Sequence, residues 1–350
     1  MNSTLQAASV YRIPHAWYVA ALTAEVPAEG VLARTVHGLP LVLFRTADGR
    51  VGALEDRCPH RNVPLSLGKV RGASLECAYH GWCFDRGGAC TKVPGRVDGA
   101  GDGDGLAAAA VPVREAQGLI WVWPEVGASP PREPFTLAHL EDPAYAVDAV
   151  RLEVAASVHA VAENALDVPH TSFLHAGLFR TGRRNRIEAI VRRGADRVEA
   201  EYVGEPAPTG LAGRVLAPGG GVVQHWDRFI LPSIAQIEYR LGQAHLLATT
   251  LLTPVSAFET VMFAVVAAKL PLLPHVALKA GLRPVLLRIF RQDAAILKAQ
   301  TRNLERFGEE AYRSTELDLL GPSIQALLRR AERAWPEGGD TSERRVRLEV

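Results

Sequence analysis

The chain lacks any run of ~18 uninterrupted apolar residues, so nothing in it reads as a membrane-spanning helix. Its most apolar region, Val261 to Phe290, is broken by Lys269, His275, Lys279, Arg283 and Arg288 and by Pro271, Pro274 and Pro284. Met1 to Val10 has neither a basic start nor a continuous apolar stretch, and no secretory signal is expected there. Charge bias is also missing. The 39 Lys and Arg against 38 Asp and Glu leave a formal charge of +1, which favours neither nucleic acid nor an acidic membrane surface. Cysteine is absent outside residues 58–90, so no disulfide framework can staple the remaining chain. That pattern suits the reducing cytoplasm. No glycine fingerprint of a dinucleotide site occurs, and no internal repeat. What remains is an ordinary globular composition, 48% hydrophobic and 22% charged, over 350 residues, enough for two domains.

The four cysteines are Cys58, Cys77, Cys83 and Cys90. Two of them are paired with histidine: Cys58-Pro59-His60, then Cys77-Ala78-Tyr79-His80 after a gap of 16 residues. Two thiolates and two imidazoles suit a [2Fe–2S] centre with Cys on one iron and His on the other. Each pair then serves both irons, so the two loops must face one another across the cluster. Gly68, Gly72 and Gly81 suit tight loops there. A structural Cys2His2 zinc site is the alternative, although zinc patterns usually run Cys-Cys then His-His. Cys83 and Cys90 are expected to be buried free thiols, and Trp82 to pack over the cluster loop.

This stretch resembles the Rieske iron–sulfur family. The residues that carry the resemblance are Cys58-x-His60, Cys77-Ala78-Tyr79-His80-Gly81-Trp82, Phe84-Asp85 and Gly88-x-Cys90-x-x-x-Pro94. It covers about the first third of the chain. β-branched and aromatic runs at 17–20, 31–36, 39–45 and 51–54, with a turn at Ala47 to Arg50, predict an antiparallel sheet carrying the loops. Residues 97–105 read as a solvated Gly/Asp loop. A calcium loop would want a Glu where the register gives Ala109. Strands at 111–115 and 119–124 close the first domain, and the Pro-rich 127–134 marks a break near residue 130. Domains 1–130 and 131–350 follow.

Beyond the break, strands are expected at 147–154, within 187–203, and at 222–231, 234–241, 245–253 and 261–268. Helices are expected at 158–171, 285–306 and 324–335. The long one carries Leu287, Phe290, Ala294, Leu297 and Leu304 on its apolar side. A sheet curved around a long helix makes a cavity. The Leu/Val/Pro-rich segment 270–290 reads either as a lid over that cavity or as ordinary packing.

The second constellation is Glu163-Asn164-Ala165-Leu166-Asp167-Val168-Pro169-His170-Thr171-Ser172-Phe173-Leu174-His175. Two histidines five residues apart can converge on one metal if the chain turns between them. Two His and one carboxylate on one face of Fe(II) leave positions open for oxygen and substrate. The string Asn-x-x-Asp-x-x-His-x-x-x-x-His resembles the catalytic iron motif of Rieske non-haem iron oxygenase large subunits. That resemblance implies Asp293 on the late helix as the carboxylate ligand, with His170 and His175. It implies Asp167 as the bridge between the cluster of one subunit and the iron of the next. Asn164 lies near the iron by the same resemblance, and Glu163 is a candidate charge behind it. His15, His37, His139, His159, His225, His245 and His275 have no defensible partner spacing and read as surface or satisfied core positions.

The resemblance implies an α+β chain, with a β-rich Rieske domain followed by a helix-grip catalytic domain, assembled as a homotrimer. Its cofactors are a [2Fe–2S] cluster held by Cys58, His60, Cys77 and His80, and a mononuclear Fe(II). With no flavin or nicotinamide fingerprint, electrons are expected from a separate NAD(P)H-dependent reductase, with or without a ferredoxin. The expected reaction is O2-dependent hydroxylation or oxidative demethylation of a small or medium apolar molecule, on the pattern of the monooxygenase and O-demethylase branch. Desaturation or cyclisation on the same iron, and a bare electron carrier or redox sensor, are the rival readings.

Overall fold

A computed structural model describes residues 12–96, 105–175, 186–205, 221–271, 273, 275–336, 338 and 341–349. Most of the Gly/Asp loop, the first eleven residues and parts of 270–274 lie outside the described residues. The chain divides into two compact units. One runs from Pro14 to Thr136; the other runs from Leu137 onward and includes Ile13.

In the first unit every element is short. Its strands are β1 (Tyr18–Leu22), β2 (Val31–Val36), β3 (Leu39–Arg45), β4 (Val51–Glu55), β5 (Lys69–Arg71), β6 (Ser74–Glu76), β7 (Cys83–Phe84), β8 (Cys90–Lys92), β9 (Val113–Ala116) and β10 (Leu119–Val122). They form three antiparallel sheets, ordered β2-β3-β4, β5-β6-β7-β8 and β1-β10-β9. The expected turn after β3 is present: the Thr46 N–H donates to the Arg50 carbonyl at 3.0 Å. Val42, Phe44, Leu54, Leu65, Val70, Leu75 and Phe84 form one apolar cluster with Cys58, Cys77 and Cys90. The cysteine loops are thereby anchored in the core from which they spring. Backbones approach closely here. A Cβ on Gly88, at φ +88°, would lie 2.0 Å from the Ala108 carbonyl oxygen, so only glycine fits.

The second unit is built on one antiparallel sheet of eight strands. Its elements are β11 (Ala146–Val154), α1 (Val158–Ala165), β12 (Arg186–Arg193), β13 (Arg197–Val203), β14 (Val223–Ile230), β15 (Ile234–Leu241), β16 (Ala244–Ser256), β17 (Glu259–Lys269), α2 (His275–Phe307), α3 (Gly321–Arg333) and β18 (Ser342–Glu349). The strand order is β11-β17-β16-β15-β14-β13-β12-β18. Period-two alternation puts Val198, Ala200 and Tyr202, Ala235 and Ile237, and Ile187, Ala189 and Val191 on one face. Val161 of α1, Leu297 of α2 and Ile324, Leu327 and Leu328 of α3 cover that face. A sheet with helices on one face, preceded by a β-rich unit, is the α+β architecture expected.

Local departures have physical causes. The stretch 187–203 is a hairpin of two strands, closed where the Gly194 N–H donates to the Arg197 carbonyl at 2.8 Å. The helix expected over 158–171 starts well, with Ser157 Oγ accepting from the Ala160 N–H at 3.2 Å. It stops at Ala165, because Pro169 has no N–H to offer the Ala165 carbonyl. A 3-10 turn, Pro169–Ser172, takes over. Helix α2 begins ten residues before the expected start and runs through Pro284. Positions 279–281 and 283–285 are exposed, so water can satisfy the carbonyl that Pro284 leaves free. Residues 275–290 thus form the first half of this helix. Strand β18 was not anticipated, since only Val346 and Leu348 of its eight residues mark an inward face.

Candidate active site

The first site lies at the tips of two loops, one after β4 and one after β6. Each loop is closed on itself. The Cys58 N–H donates to the Val63 carbonyl at 2.8 Å, and the Cys77 N–H to the Trp82 carbonyl at 2.8 Å. Cys58 and Cys77 are buried and form no disulfide. His60 is half-buried and His80 exposed, with their ring centroids 4.6 Å apart. The four residues therefore come together with the thiols inward and the imidazoles outward. The His60 Nδ1 is buried and has no hydrogen-bond partner among the described residues. Desolvation, the His80 ring and Arg61 all hold His60 below the ordinary histidine range, in the neutral form that ligates metal. Burial pushes the Cys58 thiol up, and the neighbouring Cys77 adds to that rise. An orphaned imidazole nitrogen over two inward thiols is a donor set that fits a [2Fe–2S] cluster. Trp82 stacks flat on His60, at 4.5 Å and 5°, and fixes that ring. Cys83 and Cys90 are buried and form no disulfide, as expected.

The second site grows from the break after α1. Because the helix stops at Ala165, the following turn brings His170 and His175 side by side, with ring centroids 5.2 Å apart. Helix α2 brings Asp293 to them. Its Oδ1 is 3.0 Å from His175 Nε2 and 3.6 Å from His170 Nε2. The three ligand atoms lie within 4.8 Å of one another. Asp293 Oδ1 is buried yet makes no hydrogen bond of normal geometry.

Both histidines use their other nitrogen to grip the protein. His175 Nδ1–H donates to Gln292 Oε1 at 2.9 Å. His170 Nδ1 meets the Asp167 backbone carbonyl, with the Asp167 carboxylate 3.4 Å away. Both Nε2 atoms are left facing one carboxylate oxygen, the arrangement found in metal sites. Desolvation would lower His170, but the Asp167 and Asp293 carboxylates outweigh it and push the imidazole up to about 9. A cation belongs between these groups, and two nitrogens with one carboxylate oxygen suit Fe(II).

A cavity of about 620 Å³ opens beside His170. Asn164 and Asp167 line it, with Glu163, Phe173, Tyr202 and Ile296. That size fits a small organic molecule. Glu163 is pushed up to about 7 by burial, and Asp318, Asp167 and Glu310 add to the rise. Gln292 and Tyr202 escaped the sequence reading. Gln292 stands beside Asp293, but only the contact with His175 gives it a role. Tyr202 looks like any aromatic on a strand.

Each half of the chain matches a known family. Residues 16–109 match the family described as Rieske [2Fe-2S] domain, and residues 154–334 match the vanillate O-demethylase oxygenase C-terminal domain. The chain is 30% identical to the vanillate O-demethylase oxygenase subunit of a Pseudomonas species, over 94% of this chain and 97% of that one. It is 31% identical to the toluene-4-sulfonate monooxygenase system iron-sulfur subunit of Comamonas testosteroni. That match covers 52% of this chain and spans about half, 52%, of the relative. The crystal structure of dicamba monooxygenase bound to dicamba superposes with a TM-score of 0.76 at 26% identity, over 92% of this chain and 98% of that one. With matches in both halves of the chain and a relative aligned nearly end to end, the chain belongs to the Rieske non-haem iron oxygenases of the vanillate O-demethylase type.

Proposed function

We propose that this chain is the terminal oxygenase of a multicomponent system, catalysing O2-dependent hydroxylation or oxidative demethylation of a small, mainly apolar organic molecule. The observation that carries this reading is the convergence of two imidazole Nε2 atoms and the Asp293 carboxylate beside a cavity of ligand size. Relatives named for vanillate and dicamba demethylation support the substrate class.

In this reading residues 1–130 form the cluster domain and 131–350 the catalytic domain. Cys58, Cys77, His60 and His80 hold the [2Fe–2S] cluster; His170, His175 and Asp293 hold Fe(II). When bound, the iron supplies the centre at which O2 is reduced, one oxygen atom going to the substrate and the other to water. The chain's own residues prepare that centre. Gln292 and Asp167 hold the two imidazoles, and the buried apolar side chain of Leu297 lines the cavity beside them.

Electrons would come from a separate reductase, directly or through a ferredoxin, and Cys58, His60, Cys77 and His80 would hold the one-electron carrier that receives them. Exposed His80, Tyr79 and Leu67 suit the tip of the cluster loops for docking on another protein surface. The exposed Phe173, Ile296 and Leu317 ring the cavity that Asp167 lines and offer an apolar surface of that kind. The family resemblance implies a homotrimer in which Asp167 couples one subunit's cluster to the next subunit's iron, two exposed surfaces of this kind support that reading, and cysteines that form no disulfide suit the cytoplasm. Among the described residues no helix is long and apolar enough to cross a membrane.

Metal analysis of anaerobically purified protein tests the proposal. The expected result is about three irons and two sulfides per chain, with a Rieske-type signal on reduction. His170→Ala should lose one iron and all turnover while keeping that signal. Zinc without sulfide, or turnover retained in the variant, would refute the assignment.

A further inference from the structure

Helix α2 concentrates charge of one sign. Between His275 and Phe307 it holds seven Lys and Arg residues against two acids, Asp293 and Glu305. Taken from the 39 and 38 of the whole chain, that leaves 32 Lys and Arg facing 36 Asp and Glu elsewhere. The near-neutral total hides a basic helix on an acidic remainder. The charge is also arranged. At 3.6 residues per turn, Arg288, Arg291, Lys298, Arg302 and Arg306 fall within roughly 80° of arc, a stripe ~27 Å long. All five are exposed. The far side of the helix carries Leu286 and Leu297, which are buried, and Phe290 and Ala294, which pack on the core. Among the described residues none of the five forms an ion pair, whereas Arg283 on the same helix is held by Asp148 at 3.0 Å.

Helix stability does not account for the stripe. Lys298 with Arg302, and Arg302 with Arg306, are like charges at i, i+4, which weaken a helix. The helix dipole favours cations only in the last turn, where Arg306 stands. The position of the stripe gives it a use. Gln292 and Asp293, which belong to the second site, lie on the same helix between Arg291 and Lys298. Ile296, exposed beside the stripe, lines the cavity. A partner docked along the stripe therefore lies beside that cavity. The surface between the cations selects its kind. Ala295 and Ala299 are exposed there, Glu305 at one edge is the exposed acid of the helix, and α2 has no Trp or Tyr. A bilayer would want bulky apolar anchors between the charges, and a nucleic acid would want rings to stack on its bases. Small residues among cations suit an acidic protein, attracted at long range and free to come close.

We propose that the face of α2 bearing Arg288, Arg291, Lys298, Arg302 and Arg306 is the docking surface for an acidic one-electron carrier protein that reduces the cluster. The inference rests on the proposed function, which calls for such a partner because the sequence carries no flavin or nicotinamide fingerprint. In the trimer proposed above, the neighbouring subunit's cluster loops meet the same cavity. A carrier on the stripe then stands next to the cluster it reduces. One electron leaves the reduced carrier and one enters the cluster, and no covalent bond changes.

A plant-type [2Fe–2S] ferredoxin of net negative charge is the probe carrier. Its potential lies below that of a Rieske centre, so the electron runs downhill. Reduced ferredoxin is mixed anaerobically with oxidised holoenzyme, and the second-order rate of cluster reduction is read from absorption. The proteins compared are wild type and Lys298→Glu/Arg302→Glu. Dithionite, which needs no docking surface, is the second reductant and reports whether the variant keeps its fold and cluster. The expected result is a wild-type rate that falls as salt is added, and a variant rate about tenfold lower at low salt, with reduction by dithionite unchanged. Equal ferredoxin rates in the two proteins, or no reduction of wild type by ferredoxin, overturn the proposal and leave the oxygenase reading standing. Wild-type binding to phosphatidylglycerol vesicles that the variant loses, with ferredoxin rates unchanged, assigns the face to a membrane instead. A protein with no cluster for dithionite to reduce overturns the oxygenase reading itself. Should the double variant not fold, Lys298→Gln/Arg302→Gln removes the charge without reversing it and should lose rate in the same direction; an unchanged rate there also overturns the proposal.

Discussion

Gln292 has no chemistry of its own, and replacing it isolates the effect of orientation on metal binding. In Gln292→Ala the acceptor 2.9 Å from His175 Nδ1 is lost, while the three ligand groups stay. His175 is 2% exposed, so its Nδ1–H finds no ready substitute in water. The ring can then turn or change tautomer, and its Nε2 no longer stays 3.0 Å from Asp293 Oδ1. Losing such a support weakens metal affinity by roughly 10- to 100-fold, or about 1.4–2.8 kcal/mol. The assay is an anaerobic Fe(II) titration of iron-depleted protein against a competing chelator, with the cluster absorption followed in parallel. Expected are weaker Fe(II) binding by that factor and an unchanged cluster spectrum, because Gln292 lies in the other unit. Gln292→Glu restores an acceptor and should recover most of the affinity. Fe(II) affinity within about twofold of wild type in Gln292→Ala would refute the claim that this contact orients His175.

Three further outcomes are expected. Glu163 is pushed up to about 7 from an ordinary value of 4.5, so the native state holds a proton there that the unfolded chain releases between those values. Its contribution is fully present below about pH 4.5 and is lost as pH rises towards 7, so stability falls over that window. Glu163→Gln should flatten the fall and leave the protein more stable than wild type at pH 8 by roughly 1–3 kcal/mol, read from denaturant melts; an unchanged pH profile would contradict this. Gly88→Ala puts a Cβ against the Ala108 carbonyl at positive φ and should cost at least ~2 kcal/mol, seen as a lower melting temperature and cluster loss; wild-type stability would rule the close approach out. Trp82→Ala removes the ring stacked on His60 and should speed cluster bleaching in air, whereas an unchanged half-life would show that the stack does not shield it.

Glu163 also shows why parts of the site were hidden in the sequence. It was visible only as a charge near a motif. Its raised value comes from burial and from Asp318 and Glu310, some 150 residues away in the chain. Gln292 and Tyr202 are of the same kind. The residue type is common, and the role arises from a neighbour supplied by another element. His225 is one of the histidines that read as surface or satisfied core positions, and the structure buries it with both nitrogens satisfied; what spacing could not show is that it stacks against Tyr202.

By itself the sequence determined the ligand types, because metal chemistry demands particular atoms and few residues offer them. Cys58, His60, Cys77, His80, His170 and His175 stand in short local patterns, and the two motifs sit in separate halves of the chain. The strand pattern was legible for a similar reason: a sheet with one buried face imposes its period on every strand. Tertiary structure alone decided the rest. Beyond the stop that Pro169 sets on α1, it brought Asp293 to His170 and His175, and it carried α2 through Pro284 where water could reach it. It brought in β18, which has too few apolar residues to announce itself, and it set Gln292 and Asp167 against the imidazoles they hold. These are contacts between distant segments, and a contact depends on where two chains meet rather than on what either one contains.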